Sequence, residues 1–352
     1  MKNQFQLALV FATAFTIGTF AQAQQATSYS LEKAVSGAIQ NGLEMANART
    51  TLEQAKRDME SREADPVSAV NEKLIARQGF KLAQVRLAST RLEVTQNVIT
   101  DYLVLFEAQE NMNVVAAQLA LDTRSLEITK ARNEAGSATK LDISKAENQL
   151  KTSKQSAQDL KVKLPVIASR LALLLGLPKG VSISVQAPKT GKIKALNLNK
   201  PEADLESRLP TLLEAAQVLE LAQLNVKLSD NDWTPAVQLR QAQTSLANAQ
   251  RSFDGAQRGA TTQLRDAGRA NDDALEQAQI ATQARENAER TLAQDKSRLA
   301  GGTISRLEFL NSEIAAVRAR FQAIQANDGY LVSLAALSVA SGMDLLELGG
   351  AQ

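Results

Sequence analysis

The feature that most constrains the fold of this chain is an internal duplication. Residues 136–143 (GSATKLDI) are similar to residues 302–309 (GTISRLEF), which begin 166 positions later. An upstream apolar stripe repeats at an offset of 167, where Met45, Ala48, Leu52, Ala55 and Met59 correspond to Leu212, Ala215, Leu219, Ala222 and Val226. Short-period solenoids have units of about 20–50 residues, so this longer period predicts two complete helical modules.

The composition excludes most catalytic and metal-binding chemistry. The 352 residues include no Cys and no His, which removes disulfides, thiolates and imidazole, the commonest general base. The 40 Lys and Arg residues are interspersed with 38 Asp and Glu residues, so they form no basic stripe of the kind that binds phosphates. We therefore expect a protein that is not an enzyme, holds no cofactor or metal, and binds no nucleic acid.

Composition and periodicity together predict an elongated all-α fold. Aromatic residues make up 4% of the chain, which has only 7 Pro, and the remaining composition is typical of long helices. Val85, Leu92, Ile99 and Phe106 recur at seven-residue steps, as in the seam of a coiled coil. The predicted helices span about residues 31–64, 71–134, 140–175, 210–232, 238–300 and 306–341. Short turns between them predict antiparallel, coiled-coil-like hairpins in two tandem repeats.

The predicted organisation has four parts. Residues 1–23 are typical of a secretory signal peptide, because Lys2 precedes an uncharged apolar stretch and residues 21–23 (AQA) form a small-x-small cleavage site. Residues 24–178 form the first helical repeat and residues 204–352 form the second. Residues 179–203 lack helical periodicity and are predicted to be an equatorial linker, within which residues 181–185 (VSISV) alternate as a strand would.

Two turns carry strong local signals. Gly136 and Gly302 end the long helix of each repeat, as C-terminal glycines do. The next helix starts with Thr139 and Asp142 in the first repeat, and with Ser305 and Glu308 in the second, which is the spacing of helix caps. Taken alone, these residues predict ordinary hairpin turns.

Several segments, in this order, resemble the TolC-type outer membrane efflux protein family. They are residues 30–34 (SLEKA), 41–43 (NGL), 134–143 (EAGSATKLDI), 174–178 (LLGLP), 232–235 (DWTP) and 300–310 (AGGTISRLEFL). The resemblance covers nearly the whole chain after the predicted signal peptide, and it rests on the order and spacing of the segments rather than on one motif.

The resemblance implies a homotrimer that forms a periplasmic helical tunnel and exports small molecules or proteins, in the periplasm or cell outer membrane of a diderm bacterium. It also implies that the two glycine-containing turns form the inner tip of the tunnel, where a periplasmic adaptor that works with an inner-membrane transporter docks. The tip residues carried over are Gly136, Ser137, Thr139, Leu141, Asp142, Gly302, Thr303, Ser305, Leu307 and Glu308. Glu308 and Asn311 would stand at the tunnel entrance, where Asn311 replaces an expected acid and weakens the ring of charge.

One departure from the family leaves two functions open. The family inserts a two-stranded hairpin between the paired helices of each repeat, but here residues 65–70 (DPVSAV) lead directly into a helix, and only residues 236–239 (AVQL) follow Pro235 as a candidate strand. A transmembrane β-strand needs about 9–11 residues, so we expect a barrel-less or barrel-truncated member whose membrane contact is indirect. Such a chain is either a transport component or a non-conducting structural scaffold of the cell envelope.

Trp233, the only tryptophan, also has two interpretations. Tryptophan is common at membrane–water interfaces, so it could anchor the protein near lipid. Without flanking strands, the interpretation we favour is that Trp233 covers the end of the helical bundle.

Overall fold

The structure is a computed structural model that describes residues 27–178, 180–188, 204–346 and 348. The predicted signal peptide at residues 1–23 and most of the predicted linker at residues 179–203 lie outside these ranges. The described chain consists of long helices with two three-residue strands. The predicted all-α class of paired long helices is therefore confirmed.

The same helix plan occurs twice along the chain. The first set is α1 (Leu31–Asn41), α2 (Leu43–Ala64), α3 (Val70–Glu134) and α4 (Lys140–Leu174), and the second is α5 (Leu205–Arg208), α6 (Pro210–Ser229), α7 (Ala236–Ala300) and α8 (Arg306–Ser341). Helices α3 and α7 have 65 residues each, so each is about 100 Å long. The helices that follow them have 35 and 36 residues.

The single helix predicted over residues 31–64 is wrong, because Gly42 divides it into α1 and α2. The backbone of Gly42 is extended, with φ −66° and ψ 139°. A Cβ atom at this position would lie 2.3 Å from the carbonyl oxygen of Ala38, so only glycine fits the junction. The junction lets α1 turn into the core while α2 pairs with α3.

Four helices form one layer in the half of the molecule that contains the glycine turns. Helix α3 packs against α4 on one side and α8 on the other, and α8 packs against α7. Arg318 of α8 donates to Gln118 of α3 at 2.5 Å, and Gln325 donates to Glu107 at 3.3 Å. The order along the layer is therefore α4–α3–α8–α7. Within the described ranges, α4 and α7 share no extensive contact and form the two edges.

Contacts between α3 and α6 place two other turns at the opposite end. Gln217 Nε2 donates to the Gln78 carbonyl oxygen at 2.8 Å, and Arg86 pairs with Glu214 at 3.0 Å. The two contacts run in opposite directions along the chain, so α3 and α6 are antiparallel. The start of α3 and the end of α6 therefore point to the same end of the bundle. The turns at residues 65–69 and 230–235, which we name the distal turns, therefore lie at the same end of the bundle, far from the glycine turns.

The largest apolar core lies between these two ends. The predicted seam of α3 is confirmed, because Leu92, Ile99 and Phe106 are buried and Val85 is half-buried. Side chains of α1, α4 and α8 pack against this part of α3. Burial of each such side chain contributes about 1.5–3 kcal/mol of stability, and together these side chains hold the long helices together in the middle of the molecule.

A short strand pair closes over this core. Strand β1 (Thr27–Tyr29) pairs in parallel with β2 (Ile183–Val185), the strand predicted by the alternation after residue 180. The Tyr102 hydroxyl of α3 lies 2.9 Å from the Tyr29 carbonyl oxygen and 2.8 Å from that of Gln186. Burial is the main cause that raises the pKa of Tyr102 to about 12, so this hydroxyl keeps its proton and can donate.

The surface of the bundle gives two further results. No described helix combines the length and the apolar character needed to cross a membrane. Trp233 is 93% exposed, so the favoured prediction that it covers the end of the bundle is wrong. A side-chain hydrogen bond within its own turn holds the Trp233 backbone, and the residues that the structure describes leave the ring uncovered.

Candidate functional site

The first glycine turn, between α3 and α4, is a Schellman motif. Gly136 has φ +75°, and its N–H donates to the Asn133 carbonyl oxygen at 2.9 Å. The Ser137 N–H donates to the Arg132 carbonyl oxygen at 2.8 Å, and the Ser137 hydroxyl donates to the same oxygen at 3.1 Å. These bonds satisfy the carbonyl groups that the end of α3 leaves without a helical partner.

The second glycine turn, between α7 and α8, repeats these bonds. Gly302 has φ +71°, and its N–H donates to the Leu299 carbonyl oxygen at 3.0 Å. The N–H and the hydroxyl of Thr303 both donate to the Arg298 carbonyl oxygen, each at 2.9 Å. Every donor and acceptor lies 166 positions after its counterpart, so the duplication extends to single hydrogen bonds. We name the two turns the tip turns.

A capping box begins the helix after each tip turn, as the sequence predicts. Thr139 Oγ1 accepts from the Asp142 N–H at 3.2 Å, while the Asp142 carboxylate accepts from the Thr139 N–H at 2.9 Å. In the second turn, Ser305 Oγ accepts from the Glu308 N–H at 3.2 Å and Glu308 accepts from the Ser305 N–H at 2.7 Å. The tip turns are therefore rigid on both sides of the glycine.

The capping carboxylates are ionised at neutral pH. Hydrogen bonds from the backbone and side chain of Thr139 lower the pKa of Asp142, and those of Ser305 lower the pKa of Glu308. Glu308 and Asn311, the predicted entrance residues, are both exposed. Glu308 is at the same time held by the cap, so it presents a fixed negative charge rather than a freely moving side chain.

The predicted tip residues differ in what they offer to a partner. Leu141 is 62% exposed, which makes it the large apolar side chain that the first turn presents. Leu307, its counterpart, is half-buried. At Gly136 and Gly302 an added Cβ would meet no atom within 4 Å, so the space above both glycines is open to a partner.

Sequence reasoning missed the polar contacts that fix each hairpin behind its tip turn. The Ser153 hydroxyl of α4 donates to the buried Asp122 carboxylate of α3, and the Ser312 hydroxyl of α8 donates to Asp295 of α7. Gln118 donates to the other oxygen of Asp122 at 2.9 Å. The detectable signal is that Asp122 lies one heptad after the half-buried Val115, so it lies on the packed face of α3.

The tip turns form a rigid, exposed surface. In the part of the chain that the structure describes, no three acidic side chains come close enough to hold a metal ion. The tip turns offer rigid backbone, one exposed leucine and two fixed carboxylates. Such a surface suits recognition by a second protein.

Comparison with known families and structures agrees with this architecture. Residues 68–177, which cover α3, α4 and the first tip turn, match the model of the outer membrane efflux protein family. This confirms the resemblance to the TolC-type family, a transport family rather than a family of enzymes. No curated protein shows significant sequence similarity to the chain.

Solved structures of several bacterial membrane proteins share the fold. A membrane protein from Pseudomonas aeruginosa aligns with a TM-score of 0.66 at 15% identity, covering 100% of this chain and 98% of that one. The Campylobacter jejuni CmeC outer membrane channel aligns with a TM-score of 0.66 at 13% identity over 97% of this chain and 94% of its own. The Vibrio cholerae outer membrane protein VceC gives 0.65 at 16% identity, over 89% and 96%.

Proposed function

We propose that this chain, which has an outer membrane efflux protein segment at residues 68–177 and the fold of solved outer membrane channels, is an efflux or secretion component. Three copies form a periplasmic helical tunnel, and the tip turns dock a periplasmic adaptor protein that works with an inner-membrane transporter. Small molecules or proteins leave through the tunnel, in the outer envelope of a diderm bacterium. The observation that carries the proposal is the hydrogen-bond pattern shared by the two tip turns.

The shared pattern supports docking because it gives one protomer two binding positions with the same backbone geometry. Both turns end a 65-residue helix, both are capped by a fixed carboxylate, and both leave open space above the glycine. A partner with a repeated or oligomeric contact surface can use both positions of every copy. Rigid turns lose little conformational entropy on binding, which favours affinity.

The open edges of the helical layer support assembly from several copies. Val162, Val166 and Leu173 lie along α4 and are 60%, 67% and 73% exposed. The edge formed by α4 differs from the edge formed by α7, so contact between them is heterologous, and such contacts close into rings when the rotation allows it. A closed ring surrounds a central bore, which is the geometry that a tunnel requires.

The docking proposal is tested by a variant at the tip and a control variant away from it. Leu141→Glu places a charge at the tip, where the side chain is 62% exposed, and the control Val218→Glu places the same charge on α6, where the side chain is 53% exposed, away from both the tip and the α4 edge. We expect a photocrosslinking residue at the exposed Lys140 of the tip to capture the adaptor, and one at the exposed Lys154, farther along α4, to capture none. The capture at the tip should disappear in Leu141→Glu but persist in Val218→Glu. Mass spectrometry identifies the crosslinked adaptor.

Equal crosslinking in both variants contradicts docking through the tip turns. A second measurement addresses the tunnel itself, namely the mass and the bore of the purified assembly by electron microscopy. A trimer with an open bore is the expected result. A monomer or a solid bundle would instead favour the non-conducting scaffold.

A further inference from the structure

The two distal turns each expose a large apolar side chain at the apex. Val67 is 87% exposed and Trp233 is 93% exposed. Val70 and Val237, at the starts of α3 and α7, are 67% and 72% exposed. Because the distal turns lie at the same end of the bundle, all four residues are exposed at that end, and we name this set of residues the apolar end.

Both apexes are held outward by the same local geometry. Asp65 Oδ1 accepts from the Val67 N–H at 2.9 Å, and Asp65 Oδ2 accepts from the Ser68 hydroxyl at 2.9 Å. In the second turn, Asn231 Oδ1 accepts from the Trp233 N–H at 2.9 Å and from the Thr234 hydroxyl at 3.2 Å.

These are Asx turns, and every residue of the second one lies 166 positions after its counterpart, the offset that relates the tip turns. Thus the duplication keeps a rigid turn with an exposed apolar apex in both repeats. An apex that merely joined two helices would not require a large apolar side chain, and solvent exposure of such a side chain is unfavourable by about 1.5–3 kcal/mol relative to burial.

The shape of the apolar end favours contact with a lipid surface over binding in a protein pocket. The two apexes project from the bundle, and four side chains offer much less than the roughly 800 Å² per partner that a stable protein interface buries. A lipid headgroup region needs no complementary pocket, and tryptophan prefers that region because its ring is apolar while its N–H can donate.

The charges around the apolar end indicate which lipid surface it suits. Hydrogen bonds from Val67 and Ser68 lower the pKa of Asp65, so this carboxylate is ionised beside the first apex. Asp230 and Asp232 are exposed beside the second. Arg62 is paired with Glu72 at 3.4 Å, and the positive charge of Lys73 acts on Asp65, so acidic groups offset these basic ones and little net positive charge is left to attract anionic headgroups.

We propose that the apolar end is a peripheral membrane-contact site, at which Val67 and Trp233 insert into the headgroup region of a zwitterionic phospholipid surface. The sequence alone favoured indirect membrane contact, whereas the paired exposed apexes favour direct contact. The site lies at the end opposite to the tip turns, and it does not depend on whether those turns dock a partner.

The chain carries its own reporter for this site, since Trp233 is the only tryptophan. We expect its fluorescence emission to shift to shorter wavelength on addition of phosphatidylcholine vesicles, and to be quenched by lipids brominated near the headgroup. The shift should persist at high salt, because apolar burial rather than charge drives it. Vesicles with anionic phosphatidylglycerol should bind no more tightly.

A matched pair of variants separates the apolar end from the rest of the surface. Val67→Ser keeps the reporter and should weaken vesicle partitioning about tenfold, the equivalent of losing burial of one valine. Val104→Ser removes a valine of α3 that is 46% exposed and far from the distal turns, and it should leave partitioning unchanged. A reporter moved to the tip, as Leu141→Trp with Trp233→Phe, should show no vesicle-induced shift.

Three results would overturn the proposal. The first is co-sedimentation with vesicles while Trp233 emission stays unchanged, which would mean that another segment attaches the chain. The second is binding that requires anionic lipid and vanishes in salt. The third is a Trp233 emission already shifted without vesicles and dependent on protein concentration, which would mean that a second copy covers the apolar end.

Discussion

Replacing Asp328 with asparagine should stabilise the protein, and increasingly so as the pH rises. Asp328 lies on α8 and is 2% exposed, and within the described part of the chain its Oδ2 atom has no hydrogen-bond partner. Burial, followed by the nearby negative charge of Glu107, raises the pKa of Asp328 from 3.8 to about 8. Folding therefore holds a carboxyl group in a place where its ionised form is poorly solvated.

The sign and size of the effect follow from this shift in pKa. Because the folded state binds the proton more tightly, the stability is greatest at low pH and is lost as the pH rises from about 4 through about 8. For pKa values of 3.8 unfolded and about 8 folded, ionisation of Asp328 removes about 3 kcal/mol of stability between about pH 5 and about pH 8. Asparagine has nearly the same volume and does not ionise.

The assay is denaturant unfolding followed by circular dichroism at the two pH values. We expect the stability advantage of Asp328→Asn over the wild type to grow by about 3 kcal/mol from about pH 5 to about pH 8. Glu107→Gln should give a smaller increase, because it removes only the secondary cause. Asp273→Asn, at an exposed site on α7, should change stability by less than about 0.5 kcal/mol at either pH. An advantage for Asp328→Asn that is the same at both pH values would refute the reasoning.

Three further predictions concern the turns and the strand pair. Gly342→Ala should destabilise the protein more than Gly302→Ala. Both residues have positive φ (+64° and +71°), but only at Gly342 would the new Cβ atom lie close to another atom, at 2.7 Å from Arg208 Cβ. Equal unfolding midpoints for the two variants would contradict this. Thr139→Ala and Ser305→Ala should each cost about 1 kcal/mol in thermal or denaturant unfolding through loss of the capping box, and a neutral result for either would mean that the cap is dispensable there. Tyr102→Phe should cost about 1–3 kcal/mol, since it removes the one hydroxyl proton that can donate to the carbonyl group of Gln186 or of Tyr29; hydrogen exchange at β2 that matches the wild type would argue against this.

The tip turns were predictable because their signals are local. A glycine at a helix end followed by a hydroxyl residue and an acid three positions later specifies both the Schellman motif and the capping box. The long helices were predictable for a similar reason, since the seven-residue spacing that includes Ile99 holds over several turns. The direct functional roles of Gly136, Leu141 and their counterparts in adaptor docking stay predictions.

Other features depend on contacts that sequence spacing does not reveal. The break at Gly42 arises from a close approach to the Ala38 carbonyl group, and the three residues of β1 form a strand only because β2 lies beside them. The exposure of Trp233 required knowing where the neighbouring helices end. The Asx turns of the distal end depend on side-chain hydrogen bonds that spacing does not specify, although Asp65 and Asn231 do share the 166-residue offset.

The strand pair sets an order for folding. Thr27 and Ile183 are partners, so β1 waits for 156 further residues before its hydrogen bonds can form, and at ribosomal rates of about 5–20 residues per second this takes about 10–30 s. Tyr102 and Gln186, which complete the closure, also precede α5. The first repeat can therefore pair β1 with β2 before the second repeat has been synthesised. Helix α8 then packs onto a surface that is already formed. A translocating or nascent chain arrested after residue 188 should already protect its β1 amides from exchange.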